Sequence, residues 1–288
     1  MTFSIAARSA DGSWLGVAVA SRCLAVGRAV PAAAVGVGAV ATQARCNLTY
    51  KWRGLDALRG GLGAAEAVES LVADDEVREQ RQVGIVDRDG ESATFTGRDC
   101  IPWAGGRSGP GYAIQGNLLA GPDVVAAMER AWLAGSETEP LGRRLLAVLL
   151  AGDRAGGDRR GRQSAALLVV TPDGAYEGGS DEYADLRVDD HLDPVLELGR
   201  LYDIRELHFN EPAESEAISL DGPLRQEVAT LLDRVGYVPG GSDGPAVDEA
   251  LERWAIDEFL SRRLLPGRVD PVLLHELRRR AGATWATV

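Results

Sequence analysis

Two hydroxyl side chains near the start of the chain are the first candidates for chemistry. Thr2 follows the initiator methionine, and removal of Met1 would expose an α-amine on the residue that also carries the hydroxyl. An α-amine has a pKa near ~8, so it can take the proton of its own hydroxyl and activate it as a nucleophile. Ser4 lies two residues on, on the same face of the predicted strand, as a rival nucleophile or a hydroxyl lining the site. The alternative is a Thr2 without any catalytic role.

Arginines and aspartates later in the chain are typical of sites for charged ligands. The loop Gly157–Ser164 (GDRRGRQS) is basic and glycine-rich, and Arg160 within it could hold an anionic substrate group through two hydrogen bonds. It lacks the GxxxxGK(S/T) pattern of a phosphate-binding loop, and a solvated surface loop is the alternative. Asp185 begins the segment Asp185–His191 (DLRVDDH), whose charges would either pair with each other or bind a divalent cation.

Asn117 lies between a predicted strand and a predicted helix. Its amide or a neighbouring backbone N–H could donate to an oxyanion, and a helix cap or turn is the alternative. The sequence contains no HExxH, GxSxG or GxGxxG motif, which argues against zinc proteases, α/β-hydrolases and Rossmann enzymes. The three cysteines form no CxxC pair, so we expect reduced thiols, no metal and no cofactor.

Composition narrows the class of protein further. The 288 residues carry a net charge of −12, which argues against nucleic acid and anionic membranes as partners because both require a basic surface. Only one lysine is present, Lys51, so a lysine base or Schiff base has a single candidate. No signal peptide precedes the first charged residues, and the apolar stretch Ala29–Ala44 is interrupted by Pro31. We therefore expect a cytoplasmic protein.

Hydrophobic patterning predicts an α+β or layered α/β protein. Alternating or β-branched segments predict strands at Thr2–Arg8, Trp14–Ala20 and Val35–Gln43, with a hairpin turn at Asp11-Gly12. Helical spacing follows after residue 55 and again between residues 124 and 149, with further strands between these helical regions and after them.

A polar, acidic stretch, Asn210–Ser219 (NEPAESEAIS), is the best linker in the sequence. It predicts two domains, residues 1–212 and residues 220–288, the second containing two or three amphipathic helices.

Several spaced motifs together resemble a known family. The segments MTFSIAAR, LGVAVASR, VGVGAVATQA, RQVGIVD, CIPWAG, IQGNLLAGP, GGDRRGRQSAALLVV and DLRVDDH are similar to the domain of unknown function 1028 family, over roughly Met1 to Phe209. Members of that family resemble N-terminal nucleophile (Ntn) hydrolases. The resemblance implies a four-layer α/β/β/α sandwich with the catalytic residue at the start of the first strand. It also implies a small all-α domain at the C-terminus, because the last 70 residues or so resemble a peptidoglycan-binding-like domain.

The resemblance implies an amide hydrolase with Thr2 as nucleophile. Oxyanion donors would lie near Asn117, and the pocket that receives a small, anionic amide would be lined by Arg22, Gln43, Asn47, Arg160 and Asp185. A non-catalytic binding protein with the same fold is the alternative. The C-terminal module would pack within the chain or in a homodimer, since cell-wall glycan is out of reach of a cytoplasmic protein.

Overall fold

The computed structural model describes residues 2–241 and 244–282. The chain divides into two compact units, Met1–Tyr202 and Asp203–Val288, each of which is described by itself. The first unit contains ten strands: β1 Thr2–Arg8, β2 Leu15–Ser21, β3 Pro31–Ala34, β4 Gly38–Ala44, β5 Arg81–Asp87, β6 Ser92–Thr96, β7 Gly105–Gly109, β8 Tyr112–Asn117, β9 Ser164–Val170 and β10 Glu182–Val188. Its helices are α1 Val26–Ala29, α2 Thr49–Arg59, α3 Ala64–Ala73, α4 Asp123–Ala134, α5 Leu141–Arg154 and the beginning of α6 Pro194–Phe209.

A six-stranded antiparallel sheet in the order β10-β9-β2-β1-β8-β7 forms the centre of the first unit. The predicted hairpin joins β1 to β2, and Gly12 takes the positive φ of 80° that the turn requires. Strand alternation gives this sheet two apolar faces. Phe3 and Ile5 pack with Met128 and Leu145 of helices α4 and α5, whereas Ala6 and Val17 on the opposite face join a separate core.

A four-stranded antiparallel sheet, β3-β4-β5-β6, supplies the other half of that separate core. Its residues Ala39, Ala41 and Val86 pack with the Ala6 face of the first sheet. Its opposite face, which includes Val40 and Ile85, is covered by apolar side chains of α2 and α3. The first unit thus has three apolar layers. Each layer contains residues of at least one strand that was predicted from alternation.

The second unit is mainly helical but not all-α, which corrects the sequence prediction. Its helices are the end of α6, α7 Gly222–Arg234, α8 Gly244–Asp257 and α9 Pro271–Arg280. They enclose a core that includes Leu232, Trp254 and Leu277. Three strands of two residues each, β11 Ile218–Ser219, β12 Leu264–Leu265 and β13 Arg268–Val269, form a small antiparallel sheet. Strands this short show no period-two alternation, although the Pro266-Gly267 turn between β12 and β13 is a readable signal.

No helix in the described ranges is both long enough and apolar enough to cross a lipid bilayer.

Candidate active site

Thr2 begins the central strand β1 at the point where both neighbouring strands end. Asn117, the last residue of β8, is its register partner, and Ser21 ends β2 one residue beyond the pair Phe3 and Ala20. The hydroxyl oxygens of Thr2 and Ser21 lie 3.2 Å apart, within hydrogen-bond distance. Thr2 is 6% exposed. The antiparallel topology therefore brings together the two predicted residues Thr2 and Asn117, and it adds Ser21.

The layer between the two sheets changes from apolar to polar as it approaches Thr2. Five buried polar side chains, none more than 2% exposed, occupy this end of the layer, and we call them the glutamine cluster: Ser4, Gln43, Gln82, Gln115 and Asn117. Strand alternation places them there, because Ser4 lies two residues from Ala6 on the same face of β1, and Gln43 lies two residues from Ala41 on β4.

Hydrogen bonds link all members of the glutamine cluster. Ser4 Oγ donates to Gln43 Oε1 at 2.7 Å and accepts from Gln115 Nε2 at 2.6 Å. Gln82 Oε1 accepts from Gln43 Nε2 at 2.8 Å and from Asn117 Nδ2 at 2.9 Å. Buried polar groups are costly unless they are paired, so this network fixes the relative position of the two sheets.

The cluster also anchors the backbone of the candidate nucleophile. Gln43 Nε2 lies 3.3 Å from the Thr2 carbonyl oxygen, to which it donates, and Gln82 Nε2 donates to the Gly116 carbonyl at 2.8 Å. All of these groups are neutral amides and hydroxyls, so the start of β1 is positioned without a buried charge.

One acceptor in the cluster is unpaired. Within the described part of the chain, Gln115 Oε1 is buried and has no hydrogen-bond donor. It lies against Gly84 of β5 so closely that a Cβ at this glycine would be 1.9 Å from it. The absence of a side chain at Gly84 is therefore what makes room for Gln115.

A cavity of about 180 Å³ opens beside Asn117. Two residues that line it, Ala44 and Leu118, have positive φ angles of 66° and 54°, which is strained for residues with a side chain. Cys100 also lines the cavity, and burial raises the pKa of its thiol. A thiol whose pKa is raised is mainly protonated at physiological pH, and a protonated thiol is a poor nucleophile.

Arg22 and Arg160, two predicted substrate-binding residues, lie together next to Ser21. Asp158 joins them, since its Oδ2 accepts from the Arg22 backbone N–H at 2.7 Å and its Oδ1 accepts from the Arg160 backbone N–H at 2.8 Å. Arg160 Nη2 also donates to the Arg22 carbonyl at 3.0 Å. Asp158, which is 7% exposed, thus holds the residue that follows β2.

Asn47 and Asp185 make their contacts elsewhere. Asn47 Nδ2 donates to Asp75 at 3.3 Å, and its Oδ1 accepts from the Thr49 backbone N–H at 3.1 Å, so its amide caps the start of α2. Asp185 lies on the edge strand β10 and accepts two hydrogen bonds from Arg187, at 2.8 and 2.5 Å. Through β9 and β2 its register leads to Ala6 of β1, four residues from Thr2.

Sequence reasoning did not select Ser21, Gln82, Gln115 or Asp158 as site residues. A signal for two of them exists: Gln82 and Gln115 are uncharged polar residues at the end of an apolar run in the strand segments RQVGIVD and YAIQGN. Asp158 had no such signal, because its role depends on a loop that returns to the end of β2 from 136 residues away. In the described ranges, no three His, Cys, Asp or Glu side chains are grouped so that they could hold a metal ion.

Comparison with known proteins extends these observations. A family model described as a family of unknown function, DUF1028, matches residues 2–198. The crystal structure of a Silicibacter pomeroyi protein assigned to the same family model is 32% identical, with a TM-score of 0.65, and the match covers 71% of this chain and 86% of that one.

A structure of Anbu, an ancestral β-subunit, from Yersinia bercovieri matches at 12% identity and a TM-score of 0.33, over 70% of this chain and 93% of that one. The search of curated proteins found no match. Since the family model spans more than half of the sequence, the chain belongs to the family of unknown function DUF1028.

Proposed function

We propose that the first unit is an N-terminal nucleophile hydrolase that cleaves the C–N bond of a small, anionic amide, with Thr2 as nucleophile after removal of Met1. The observation that carries this proposal is the position of Thr2. It begins the central strand of the larger sheet, its Oγ1 lies 3.2 Å from the Ser21 hydroxyl, and its register partner Asn117 lines a cavity.

The packing of the first unit supports the corresponding fold. The face of the larger sheet that carries Phe3 packs on α4 and α5, the two sheets pack on each other, and the smaller sheet packs on α2 and α3. We interpret these layers as the four-layer α/β/β/α sandwich of Ntn hydrolases.

In the proposed reaction the free α-amine of Thr2 takes the proton from Oγ1 while Oγ1 forms a bond to the substrate carbonyl carbon. Asn117 Nδ2 uses one of its two hydrogens toward Gln82, so the other is available to the developing oxyanion. The α-ammonium returns its proton to the leaving nitrogen as the C–N bond breaks. Water, deprotonated by the same amine, then hydrolyses the Thr2 ester and restores the hydroxyl.

The contacts of the two hydroxyls favour Thr2 over Ser4. Ser4 is fully buried, and its hydroxyl already donates to Gln43 and accepts from Gln115. Neither glutamine amide is a base, so nothing adjacent can remove the Ser4 proton. In this proposal Ser4 belongs to the scaffold that holds β1 rather than to the reacting groups.

The proposal can be tested without knowledge of the substrate. A β-lactone acylates a nucleophilic hydroxyl by ring opening, so the protein gains the full mass of the reagent. Intact-mass spectrometry should show loss of Met1 and one adduct in the wild type, with peptide mapping locating it on Thr2. Thr2→Ala should give no adduct, whereas the adduct on Thr2 should remain in Ser4→Ala, and the control Thr138→Ala, at an exposed loop position, should react as the wild type does. Retention of Met1, or an adduct that persists in Thr2→Ala, would contradict the mechanism.

A further inference from the structure

A second, larger concavity of the first unit is lined by arginines. It has a volume of about 720 Å³, and its charged lining residues are four arginines, Arg22, Arg154, Arg160 and Arg162, and two aspartates, Asp153 and Asp158. We call it the arginine cleft. The chain as a whole has a net charge of −12, whereas the lining of this cleft carries more positive than negative groups. The sign of the local charge is therefore opposite to that of the whole chain.

Two of these arginines are held in place by carboxylates. Arg160 Nη2 lies 3.3 Å from Asp158 Oδ2. Arg162 donates to Asp153 at 2.8 Å and to Asp193 at 2.9 Å. The Arg160 and Arg162 side chains are about half exposed. Each carboxylate orients its guanidinium but uses only some of the five N–H donors, so the others remain available to a ligand.

The other two arginines have no such partner. Across residues 2–241 and 244–282, the guanidinium groups of Arg22 and Arg154 make no hydrogen bond or ion pair with the protein. Each is linked through the chain to a held arginine: Arg160 donates to the Arg22 backbone carbonyl at 3.0 Å, and Arg154 directly follows Asp153, the partner of Arg162. The cleft therefore contains two arginine pairs, and each pair consists of one fixed and one uncommitted guanidinium.

We propose that the arginine cleft binds an organic dianion, a small molecule with two separate oxyanion groups, one for each arginine pair. A guanidinium binds a carboxylate or phosphate through two parallel hydrogen bonds, so one uncommitted arginine in each pair suffices for one group. The volume corresponds to roughly 24 water molecules at ~30 Å³ each and lies within the range of small-molecule sites, so an inorganic ion would fill little of it.

The site has a structural connection to Thr2. Asp158 binds the backbone of Arg22 and the side chain of Arg160, and Arg22 directly follows Ser21, whose hydroxyl is beside the Thr2 hydroxyl. If the bound dianion is the substrate, that assignment rests on the proposed hydrolase function. Binding of a dianion to the cleft does not depend on that function, since none of the four arginines is needed for the chemistry at Thr2.

Calorimetric titration of the full-length Thr2→Ala protein tests binding in the absence of turnover. The probes are glutarate, with two carboxylates, and 3-phosphoglycerate, with one phosphate and one carboxylate. The controls are butyrate and inorganic phosphate. We expect at least one dianion to bind about tenfold or more tightly than both controls, because the second oxyanion adds charge-assisted hydrogen bonds. Preference for glutarate would identify two carboxylate groups, and preference for 3-phosphoglycerate would identify a phosphate and a carboxylate.

Variants then assign the binding to the cleft. Arg22→Gln and Arg154→Gln should each weaken binding of the preferred dianion about tenfold and bring its affinity near that of the single-anion controls. The matched control Arg130→Gln, at an exposed position of α4 away from the cleft, should bind as the parent does. The proposal would be overturned by any of three results: equal affinity for dianions and controls, no binding of any probe, or an unchanged affinity in both cleft variants. Binding by Thr2→Ala with no β-lactone adduct in the wild type would leave the cleft standing and refute the hydrolase.

Discussion

Substitution of Gly84 by alanine tests the packing on which the glutamine cluster depends. Gly84 lies in the middle of β5, paired with Ala41 on one side and Thr94 on the other, so its backbone is fixed by both neighbouring strands. The added Cβ would be 1.9 Å from Gln115 Oε1 and 2.6 Å from Gln115 Cδ. Neither strand can retreat without breaking the sheet, so the Gln115 side chain must move.

The expected loss of stability follows from what Gln115 gives up. Overpacking of a core costs ~1–3 kcal/mol, and displacing Gln115 removes its 2.6 Å hydrogen bond to the buried Ser4 hydroxyl, for a further ~1–3 kcal/mol. Alanine has a lower backbone entropy than glycine in the unfolded chain, which offsets the loss of stability by up to about 1 kcal/mol. The net destabilisation is about 1–6 kcal/mol, which corresponds to a decrease in Tm of about 2–24 °C for a unit of this size.

Thermal unfolding followed by circular dichroism provides the measurement, with two further variants as controls. In Gly199→Ala, within α6, no atom lies within 4 Å of the new Cβ, so stability should stay the same or rise by up to about 1 kcal/mol. In the double variant Gly84→Ala, Gln115→Ala the overlap is removed, so its destabilisation should be smaller than the sum of the two single effects. A Gly84→Ala protein with the wild-type Tm, or additive effects in the double variant, would refute this account of the cluster.

Three further outcomes are expected. Burial disfavours the charged form of Asp75, but hydrogen bonds from Arg81 and Tyr50 lower the pKa of this carboxyl well below its usual range. Its ionised form therefore stabilises the fold above pH ~4. The difference in Tm between the wild type and Asp75→Asn should decrease as the pH falls below that value. Asp158→Ala should destabilise the protein by ~1–3 kcal/mol in urea unfolding, because two backbone N–H groups lose their acceptor; an unchanged midpoint would contradict its anchoring role. Limited proteolysis should cut first within residues 210–219, and a first cut elsewhere, mapped by mass spectrometry, would contradict the prediction of a linker.

The sequence predicted those elements of the fold whose signals are local. The hairpin of β1 and β2 was predicted correctly because apolar alternation surrounds an Asp-Gly turn, and the hairpin of β5 and β6 has the same signal. Strands β3 and β7 were missed, since PAAA and GGRSG contain neither alternation nor β-branched residues. Helix α2 begins at Thr49 rather than near residue 55, and Asn47 Oδ1 accepts from the Thr49 backbone N–H at its start.

The candidate site separates in the same way into local and non-local parts. The proximity of Thr2 and Ser21, the residue before Arg22, follows from a hairpin, and that of Thr2 and Asn117 from one antiparallel pairing. The contact between Gln43 and Gln82 also lies within one sheet, but the contact of Gln43 with Ser4 requires two sheets to pack face to face, which no sequence spacing encodes. The position of Asp185 at the sheet edge depends on the order of strands that are distant in sequence.

The neutrality of the glutamine cluster has a consequence for the proposed chemistry. Within the described ranges, the side chains that form hydrogen bonds with Thr2 are the Ser21 hydroxyl and the Gln43 amide, and neither of them titrates at physiological pH. A free α-amine on Thr2 would therefore be the base nearest to Oγ1. The charged side chains of the arginine cleft lie beyond Ser21. In the proposed function, activation of the nucleophile by the α-amine and recognition of an anionic ligand by arginines would thus be carried by different groups. In the proposed function the cluster holds β1 in a layer of low dielectric without a buried charge, because an anionic ligand would be bound by the arginines of the cleft instead.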